Sequence, residues 1–226
     1  MKKLSIINEN IFDGIGKRSK GGIVRKENYV EQVDLGLPSG TIWAACNLGA
    51  SSPEEYGDYY AWGETEPKDK YTLGNYKFET QHNFIKNFEK YNKEDGKIIL
   101  DPEDDAAHVV LGGKWHMPTK KQIEELVENA TNEESELNGV KGRLFTSKIN
   151  DNTLFFPYSG YKSGGDIIGK GKLTYYWSSS INEKYPDNAI SIDSDYYDRH
   201  KSDDWEKFSS EYRYRGLCIR GVFKKK

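Results

Sequence analysis

The sequence predicts an α+β fold in which short, mainly antiparallel strands surround two helices. Apolar residues alternate over short runs bounded by Gly or Pro, and two segments carry helix start and stop signals. Strands and helices do not follow the regular βαβ order of a parallel sheet. With 22 glycines and 13 % aromatic residues among 226, the core must rely on Trp, Tyr and Phe. A Rossmann-type or barrel enzyme is therefore disfavoured.

Length and the absence of a fixed repeat favour one main domain, residues 31–226, preceded by an arm at residues 1–30. Glycines and basic residues break up the apolar patch of the arm, which consists of Ile6, Ile7, Ile11 and Phe12. An arm of this kind is either a flexible leader or a docking segment. As a docking segment it would support a homo-oligomer or attachment to a virion.

Charge and hydropathy exclude two classes of partner. The formal net charge is −3, and no basic stripe is present to follow a phosphate backbone, so nucleic acid is not expected. The chain begins without the apolar stretch of about 7 to 15 residues that a secretory signal needs, and it has no apolar run of about 20 residues for a membrane span. We therefore expect synthesis in the cytoplasm without a signal peptide and no membrane insertion, with association with a virion as one location.

The first elements of the domain read as a hairpin. Alternation begins at Val33, the turn Pro38-Ser39-Gly40 follows, and a second run extends from Thr41 to residue 48. Residues 56–62 are a third strand candidate. The polar stretch that continues to about residue 97 has no assignment beyond a short helix near residues 84–88.

Two helices are predicted from their ends. Asp101 is placed as the N-cap of the first, with Pro102 at its first position, and Gly112-Gly113 ends it. The acids that follow Pro102 suit a helix N-terminus, which explains them without a metal. The second helix begins with a capping box, Thr119 to Gln122, and places Ile123, Leu126, Val127 and Ala130 on one face.

Strands are then predicted at residues 141–148, 153–156, 158–161 and 173–180, with a glycine-rich loop at residues 163–171. The last third of the chain has a different composition. Between the strand-like ends at residues 175–180 and 215–222 lies a run crowded with Tyr, Ser, Asp and Trp, which lacks the periodicity of a core segment. Tyr and Trp offer rigid contact area, while Ser and Asp offer adaptable hydrogen bonds, as in antibody paratopes. We therefore predict a ligand-binding face there, formed by Ser191, Asp193, Asp195, Tyr196, Tyr197, Asp198, His200, Lys201, Asp203, Asp204, Trp205, Tyr212 and Tyr214.

Six motifs occur in a fixed order: VDLGLPSGTIWA (33–44), YGDYYAWGET (56–65), DDAAH (104–108), GKWHMPT (113–119), PYSGY (157–161) and YWSSS (176–180). Together they closely resemble the Fibrobacter succinogenes major paralogous domain, a family abundant in gut Bacteroidetes and their mobile elements. The resemblance covers roughly residues 33–223. It implies a C-type-lectin-like fold, shared with formylglycine-generating enzymes and with the variable proteins of diversity-generating retroelements.

In those variable proteins the diversified positions lie between a Trp-containing strand and a final strand with a Gly-x-x-x-Arg-like pattern. Trp177 matches the first feature, and Gly216 to Arg220 match the second. Mutagenesis at template adenines scatters Asn-type codons into Tyr, Asp, Ser and His, and the run from residue 193 to 214 is rich in Tyr, Asp and Ser. Lys201, Glu206 and Lys207 depart from that pattern. The resemblance implies a target protein of a diversity-generating retroelement. The lack of a signal peptide and the charged, glycine-rich arm favour a product of a phage or mobile element, either a receptor-binding or a tail-associated protein.

No cofactor or metal is predicted. Calcium needs six to eight oxygen ligands, of which Asp193, Asp195 and Asp198 supply only some, and the sugar-binding motifs of calcium-dependent lectins are missing. No His/Cys cluster has zinc spacing. Cys46 and Cys218 are predicted to be buried thiols rather than a disulfide, and Trp43, Trp62, Trp115 and Trp177 to be core residues.

The functional expectation is a non-catalytic binding protein that recognises a protein or cell-surface ligand, including a glycan. Two alternatives remain open. One is a fixed cell-surface adhesin or carbohydrate-binding module, and the other is an oxidase of the formylglycine type that would use Cys218.

Overall fold

The computed structural model describes residues 30–80, 87–193 and 209–225. The predicted arm, apart from Val30, lies outside the described residues, and so does most of the helix predicted near residues 84–88. Phe88 itself belongs to a two-residue strand. In the order of the chain, the described strands are β1 (Gln32–Asp34), β2 (Thr41–Ala44), β3 (Glu79–Thr80), β4 (Asn87–Phe88), β5 (Ala130–Leu137), β6 (Val140–Ser147), β7 (Thr153–Pro157), β8 (Tyr161–Ser163), β9 (Asp166–Ile168), β10 (Tyr175–Ile181), β11 (Asn188–Asp193), β12 (Ser209–Tyr212) and β13 (Val222–Lys224). The described helices are α1 (Ala106–Leu111) and α2 (Lys120–Asn129), with 3₁₀ turns at Leu73–Asn75 and Pro102–Asp104.

The strands form small antiparallel sheets. Within the described residues, three sheets have three strands each, in the orders β1-β2-β13, β5-β6-β7 and β10-β11-β12, and two hairpins pair β3 with β4 and β8 with β9. Every ladder between these strands is antiparallel. The α+β class with mainly antiparallel pairing is therefore confirmed.

The predicted N-terminal hairpin is confirmed, with shorter strands. Val33 lies opposite Trp43, and the amide of Gly40 donates to the carbonyl of Leu37 across 2.8 Å at the turn. The strand predicted at residues 56–62 is wrong, since this segment makes only an isolated bridge between Tyr60 and Leu217. Glycines with positive φ at positions 57 and 63 interrupt the extended backbone there.

The second predicted helix is confirmed. Thr119 caps α2, its side chain and that of Gln122 form the capping box, and Ile123 and Leu126 are buried. Ala130, placed on the same helical face, instead begins β5.

The start of the first helix was predicted too early. Asp101 precedes a 3₁₀ turn, and α1 begins one turn later, where the carboxylate of Asp105 accepts from the amide of His108 at 3.0 Å. The Met117 amide also donates one bifurcated hydrogen bond to both carboxylate oxygens of Asp105, at 2.8 and 3.0 Å, which fixes the helix to the following segment. The predicted end is confirmed, because Gly112 is the C-cap with φ 73°.

In the second half of the chain, β6, β7 and β10 confirm predicted strands, and residues 158–161 do not. The backbone at residues 158–160 is irregular, with Gly160 at φ 64°. The β8–β9 hairpin begins at Tyr161 and overlaps the predicted glycine-rich loop. β5, β11 and β12 were not predicted as strands.

Aromatic side chains dominate the core, as composition predicts. Trp43, Trp62, Trp115 and Trp177 are all buried, which confirms their assignment as core residues. The core also encloses two arginines, Arg213 and Arg220, that are 0 % and 1 % exposed. Within the described ranges neither helix has the length and apolar character needed to cross a membrane.

Candidate binding face

The predicted site residues fall into two groups. Nine of them lie within residues 194–208, outside the described part of the chain: Asp195, Tyr196, Tyr197, Asp198, His200, Lys201, Asp203, Asp204 and Trp205. The other four are Ser191 and Asp193 on β11, Tyr212 on β12 and Tyr214 just after it.

The ladder between β11 and β12 fixes the positions of the described residues that flank residues 194–208. Asp193 is the last residue of β11 and Ser209 the first of β12, and Ser209 lies opposite Ser191. Because the two strands are antiparallel, Asp193 and Ser209 lie at the same end of the sheet. β10 continues that end, since Tyr175 lies opposite Asp193.

Ser191 and Asp193 are interior residues, 0 % and 2 % exposed. They alternate along β11 with Ile190 and Ile192, which belong to the main hydrophobic core. Ser191 and Asp193 therefore belong to the interior of the described sheet. Their assignment as ligand contacts stays a prediction.

A row of ring contacts runs along the surface next to this sheet. Tyr175 packs edge-on against Tyr161 with ring centroids 5.0 Å apart. The guanidinium of Arg215 lies 4.8 Å from the Tyr161 ring and 5.4 Å from the Tyr212 ring. Tyr212 in turn stacks on Tyr214, with centroids 5.4 Å apart and an interplanar angle of 14°. We call these five residues the tyrosine row; four are half-buried, and Tyr212 is 37 % exposed.

Backbone hydrogen bonds fix the geometry of the tyrosine row. The amide of Arg215 donates to the carbonyl of Tyr212 at 2.9 Å, which closes the turn that carries Tyr214. Directly after Arg215, Gly216 exchanges hydrogen bonds of 2.7 and 3.0 Å with Lys162, which is next to Tyr161. Rings held this way lose little conformational freedom when a ligand covers them, which favours binding.

The charge of the tyrosine row is balanced. Glu211 forms an ion pair with Arg215, and both are half-buried. Burial raises the pKa of the Glu211 carboxyl, and the neighbouring Arg215 opposes that rise. The surface therefore presents aromatic rings and hydrogen-bonding groups around a neutralised cation, rather than a free positive charge.

Two cavities extend the surface beyond Tyr212. One of about 360 Å³ is lined by Tyr212 and the β10–β11 turn, where Tyr185 is 52 % exposed. Another of about 530 Å³ lies where Pro186 of the same turn meets Phe88 and residues 92–94. The tyrosine row thus continues into concave surface of a size that suits side chains of a partner or a small ligand.

The cysteines do not form a disulfide. Both are free; Cys218 is fully buried and Cys46 partly buried, so the prediction of buried thiols holds in full for Cys218 alone. The Cys218 thiol donates to the carbonyl of Tyr56 at 3.2 Å, and burial raises its pKa to about 12. Such a thiol remains protonated at neutral pH and is a poor nucleophile or metal ligand.

The acidic group near the first helix is Asp101, Glu103 and Asp104, whose carboxylate oxygens lie within 4.8 Å of one another. The ammonium group of Lys90 contacts all three, at 2.7, 3.2 and 2.5 Å. It therefore occupies the position that a cation would take. Lys77 and Lys97 add contacts of 2.5 Å to Asp104 and Asp101. Lysines balance these acids without a metal ion.

Three members of the tyrosine row, Tyr161, Tyr175 and Arg215, were not predicted as site residues. Tyr161 and Tyr175 lie in segments that were predicted to be strands, and Arg215 is the first residue of the last strand-like run. Their common feature appears only in the folded chain, where residues distant in sequence become neighbours. The spacing of Tyr212 and Tyr214 was the one available signal.

Comparison with known proteins adds no relative: no family model, no curated protein and no solved structure matches the chain.

Proposed function

We propose that the chain is a non-catalytic binding protein whose tyrosine row, together with residues 194–208, recognises a protein ligand on a cell surface. The observation that carries the proposal is the tyrosine row itself. It is a line of four partly exposed Tyr rings and one Arg that runs from Tyr175, opposite Asp193, to Tyr212, opposite Asn188 at the other end of β11. Tyr and Arg are the residues that most often dominate binding energy at interfaces.

The C-type-lectin-like architecture and the origin as a target protein of a diversity-generating retroelement belong to the same proposal. Small antiparallel sheets, two helices and a buried Trp177 in β10 agree with that architecture. The antiparallel pair that brackets residues 194–208 also provides a stable base for a segment whose sequence changes. The virion of a phage is then one place where such a protein would act.

A cell-binding measurement tests the recognition step. The labelled full-length chain is titrated onto a panel of gut Bacteroidetes cells, and the double variant Tyr212→Ala/Tyr214→Ala is compared with it. Hot-spot side chains contribute more than about 1 kcal/mol each, so we expect at least a roughly tenfold loss of affinity. Val109→Ala is the matched control, since Val109 is 51 % exposed on α1, outside the tyrosine row.

The treatment of the cells separates the two ligand classes. Loss of binding after protease treatment, with binding retained after periodate oxidation, supports a protein ligand. The reverse pattern supports the carbohydrate-binding module instead. Equal binding by the wild type and the double variant contradicts the assignment of the tyrosine row.

Amplicon sequencing of the 3′ end of the gene across its host population tests the retroelement origin. We expect substitutions to be confined to about residues 182–214, sparing Trp177, Gly216 and Arg220. An invariant 3′ end favours a fixed adhesin and removes the retroelement from the proposal.

A further inference from the structure

A groove of about 450 Å³ lies where the described chain begins. It is lined by Val30, by Cys46 and the residues that follow β2, and by Val110 and Leu111 at the end of α1. None of these residues belongs to the tyrosine row. The groove is thus a separate feature of the surface.

The groove is apolar and continuous with a small core. Val30 and Leu111 pack against the buried cluster of Ile42, Ala44, Trp115 and Phe223. Beside them, Val109 and Val110 are 51 % and 39 % exposed, although both are large aliphatic residues. Adjacent exposed apolar side chains next to a concave surface are typical of a site that another segment covers.

The surroundings of the groove are acidic. Glu31 lines it. Burial is the main cause that raises the pKa of the Cys46 thiol; the buried Arg220 opposes the rise, and Glu31, Glu54 and Glu55 add to it. An apolar groove with a negative border fits a segment that combines aliphatic and basic side chains.

Residues 14–29 of this chain have that composition. They contain five basic residues against one acidic residue, and four larger apolar side chains lie among them: Ile15, Ile23, Val24 and Tyr29. The segment joins directly to Val30, which is itself part of the groove. Covalent linkage gives a short tether a local concentration in the millimolar range, which favours the same chain over a second copy.

We propose that residues 14–29 dock in cis on the groove between Val30 and the end of α1, with their basic side chains against its acidic border. This inference goes beyond the binding function, and it does not depend on what the tyrosine row recognises. It fixes the base of the N-terminal arm to the domain and leaves residues 1–13, with the apolar patch, available to a partner.

The chain contains its own reporter for the test. It has two cysteines; Cys218 is 0 % exposed, so Cys46 in the groove is the thiol that a reagent reaches in the native protein. The rate at which the full-length chain reacts with a thiol reagent such as DTNB then measures how well the groove is covered. A Cys46→Ser variant confirms the assignment of the reacting thiol.

Charge reversal in the arm should uncover Cys46. Surface ion pairs contribute up to about 1 kcal/mol each, so Arg25→Glu/Lys26→Glu should raise the rate by roughly tenfold. Lys2→Glu/Lys3→Glu makes the same change of charge outside the segment and should alter the rate less than about twofold at ordinary ionic strength, because screening is strong over long distances. Equal rates for the wild type and both variants would overturn the proposal.

Two further measurements separate cis docking from its alternatives. Protection of Cys46 that grows with protein concentration would show that a second copy fills the groove, which overturns docking in cis. In the variant Val24→Cys, mild oxidation by molecular oxygen should join the introduced thiol to Cys46 in an intramolecular disulfide. The product is a monomer whose mass is lower by the two hydrogen atoms lost from the thiols. Leu4→Cys is the matched control. If both variants cross-link to the same extent, the proposed segment is wrong.

Discussion

The guanidinium of Arg213 lies 4.3 Å from the centre of the Phe88 ring, in the interior of the protein. Four more rings surround it at 4.9 to 5.9 Å, from Trp62, Tyr76, Phe78 and Tyr91. Its nitrogens donate to the Tyr76 hydroxyl at 3.0 Å and to the carbonyls of Lys90, Tyr91 and Pro186 at 2.9, 3.2 and 3.4 Å. Among these described partners, ring faces and carbonyl dipoles take the place of a carboxylate.

We expect Arg213→Met to lower the free energy of unfolding by about 3 kcal/mol or more, because buried carbonyls that lose a donor cost about 1 to 3 kcal/mol each. Arg213→Lys should be nearly as harmful, since an ammonium group cannot reach the same set of acceptors in plane. Urea unfolding followed by Trp fluorescence measures both. A loss below about 1 kcal/mol for Arg213→Met would contradict the structural role of this cation.

The buried arginines show where sequence reasoning fails. In the sequence, Arg213 is flanked by Tyr, Glu and Ser, a composition typical of exposed surface. The rings that enclose it come from residues 62–91, so the local sequence does not indicate that it is buried. Arg220 is similar: its Nε donates to the Asn47 side chain at 2.8 Å, across 173 positions. Local patterns contain no information about such distant partners.

Elements fixed by local chemistry were predictable. The capping box at Thr119 and the glycine at position 112 depend on residues within one turn, so α2 and the end of α1 followed from sequence. β5 has almost no apolar periodicity, because seven of its eight residues are partly or fully exposed. The face at residues 191–214 was predicted from composition, while the tyrosine row needed contacts between β8, β10 and β12.

Asp104 should make stability depend on pH in the acid range. It is 2 % exposed and accepts from Lys77, Lys90 and the Tyr91 hydroxyl at 2.5, 2.5 and 2.6 Å. Burial alone would raise the pKa of its carboxyl, but these hydrogen bonds lower it below 3.8. A carboxyl whose pKa is lower in the folded state than in the unfolded state stabilises the fold at pH values above its unfolded-state pKa. This contribution disappears as pH falls through the folded-state pKa.

We therefore expect Asp104→Asn to cost about 2 kcal/mol at neutral pH and progressively less in acid, because hydrogen bonds to charged groups contribute about 1.5 to 3 kcal/mol. Asp101→Asn is the control, because Asp101 is a more exposed partner of Lys90 and Lys97 and should cost less than about 1 kcal/mol. Urea unfolding at several pH values measures both. A cost for Asp104→Asn that does not change with pH would count against the depressed pKa.

Glu211 should give the opposite dependence. Burial is the main cause that raises the pKa of its carboxyl above 4.5, and the nearby Asp193 adds to the rise, while Arg215 opposes it. The folded state then binds the proton more tightly than the unfolded state, so the stability contribution of Glu211 decreases as pH rises from 4.5 through the folded pKa.

In Glu211→Gln the side chain cannot ionise, so the variant lacks this decrease in stability with rising pH. The free energy of unfolding of the wild type minus that of the variant should therefore fall as pH rises over this window, and then become constant. Equilibrium unfolding of both proteins under identical buffers gives the difference directly. A difference that grows with pH would show that the ion pair with Arg215 outweighs burial.

Gly139, in the turn between β5 and β6, provides a test of backbone conformation in which the added side chain has no neighbour. Asn138 and Gly139 have φ values of 50° and 83°, which is the left-handed conformation that two-residue hairpin turns prefer. A Cβ added at Gly139 would meet no atom within 4 Å, so the effect of Gly139→Ala is conformational rather than steric. The left-handed region costs an L-residue with a side chain about 1 to 2 kcal/mol relative to Gly, and we expect a loss of stability of this size.

Gly74 is the matched control, since a Cβ there also meets nothing within 4 Å and its φ lies outside the left-handed region. Gly74→Ala should raise the free energy of unfolding by less than about 1 kcal/mol, because Ala lowers the conformational entropy of the unfolded chain. Chemical unfolding gives the free energy of unfolding of both variants. The two carry the same Gly→Ala change at positions that differ in backbone conformation. Equal effects would mean that the β5–β6 turn relaxes to accept Ala, and that the Asn138-Gly139 pair does not set the register in which Leu137 lies opposite Val140.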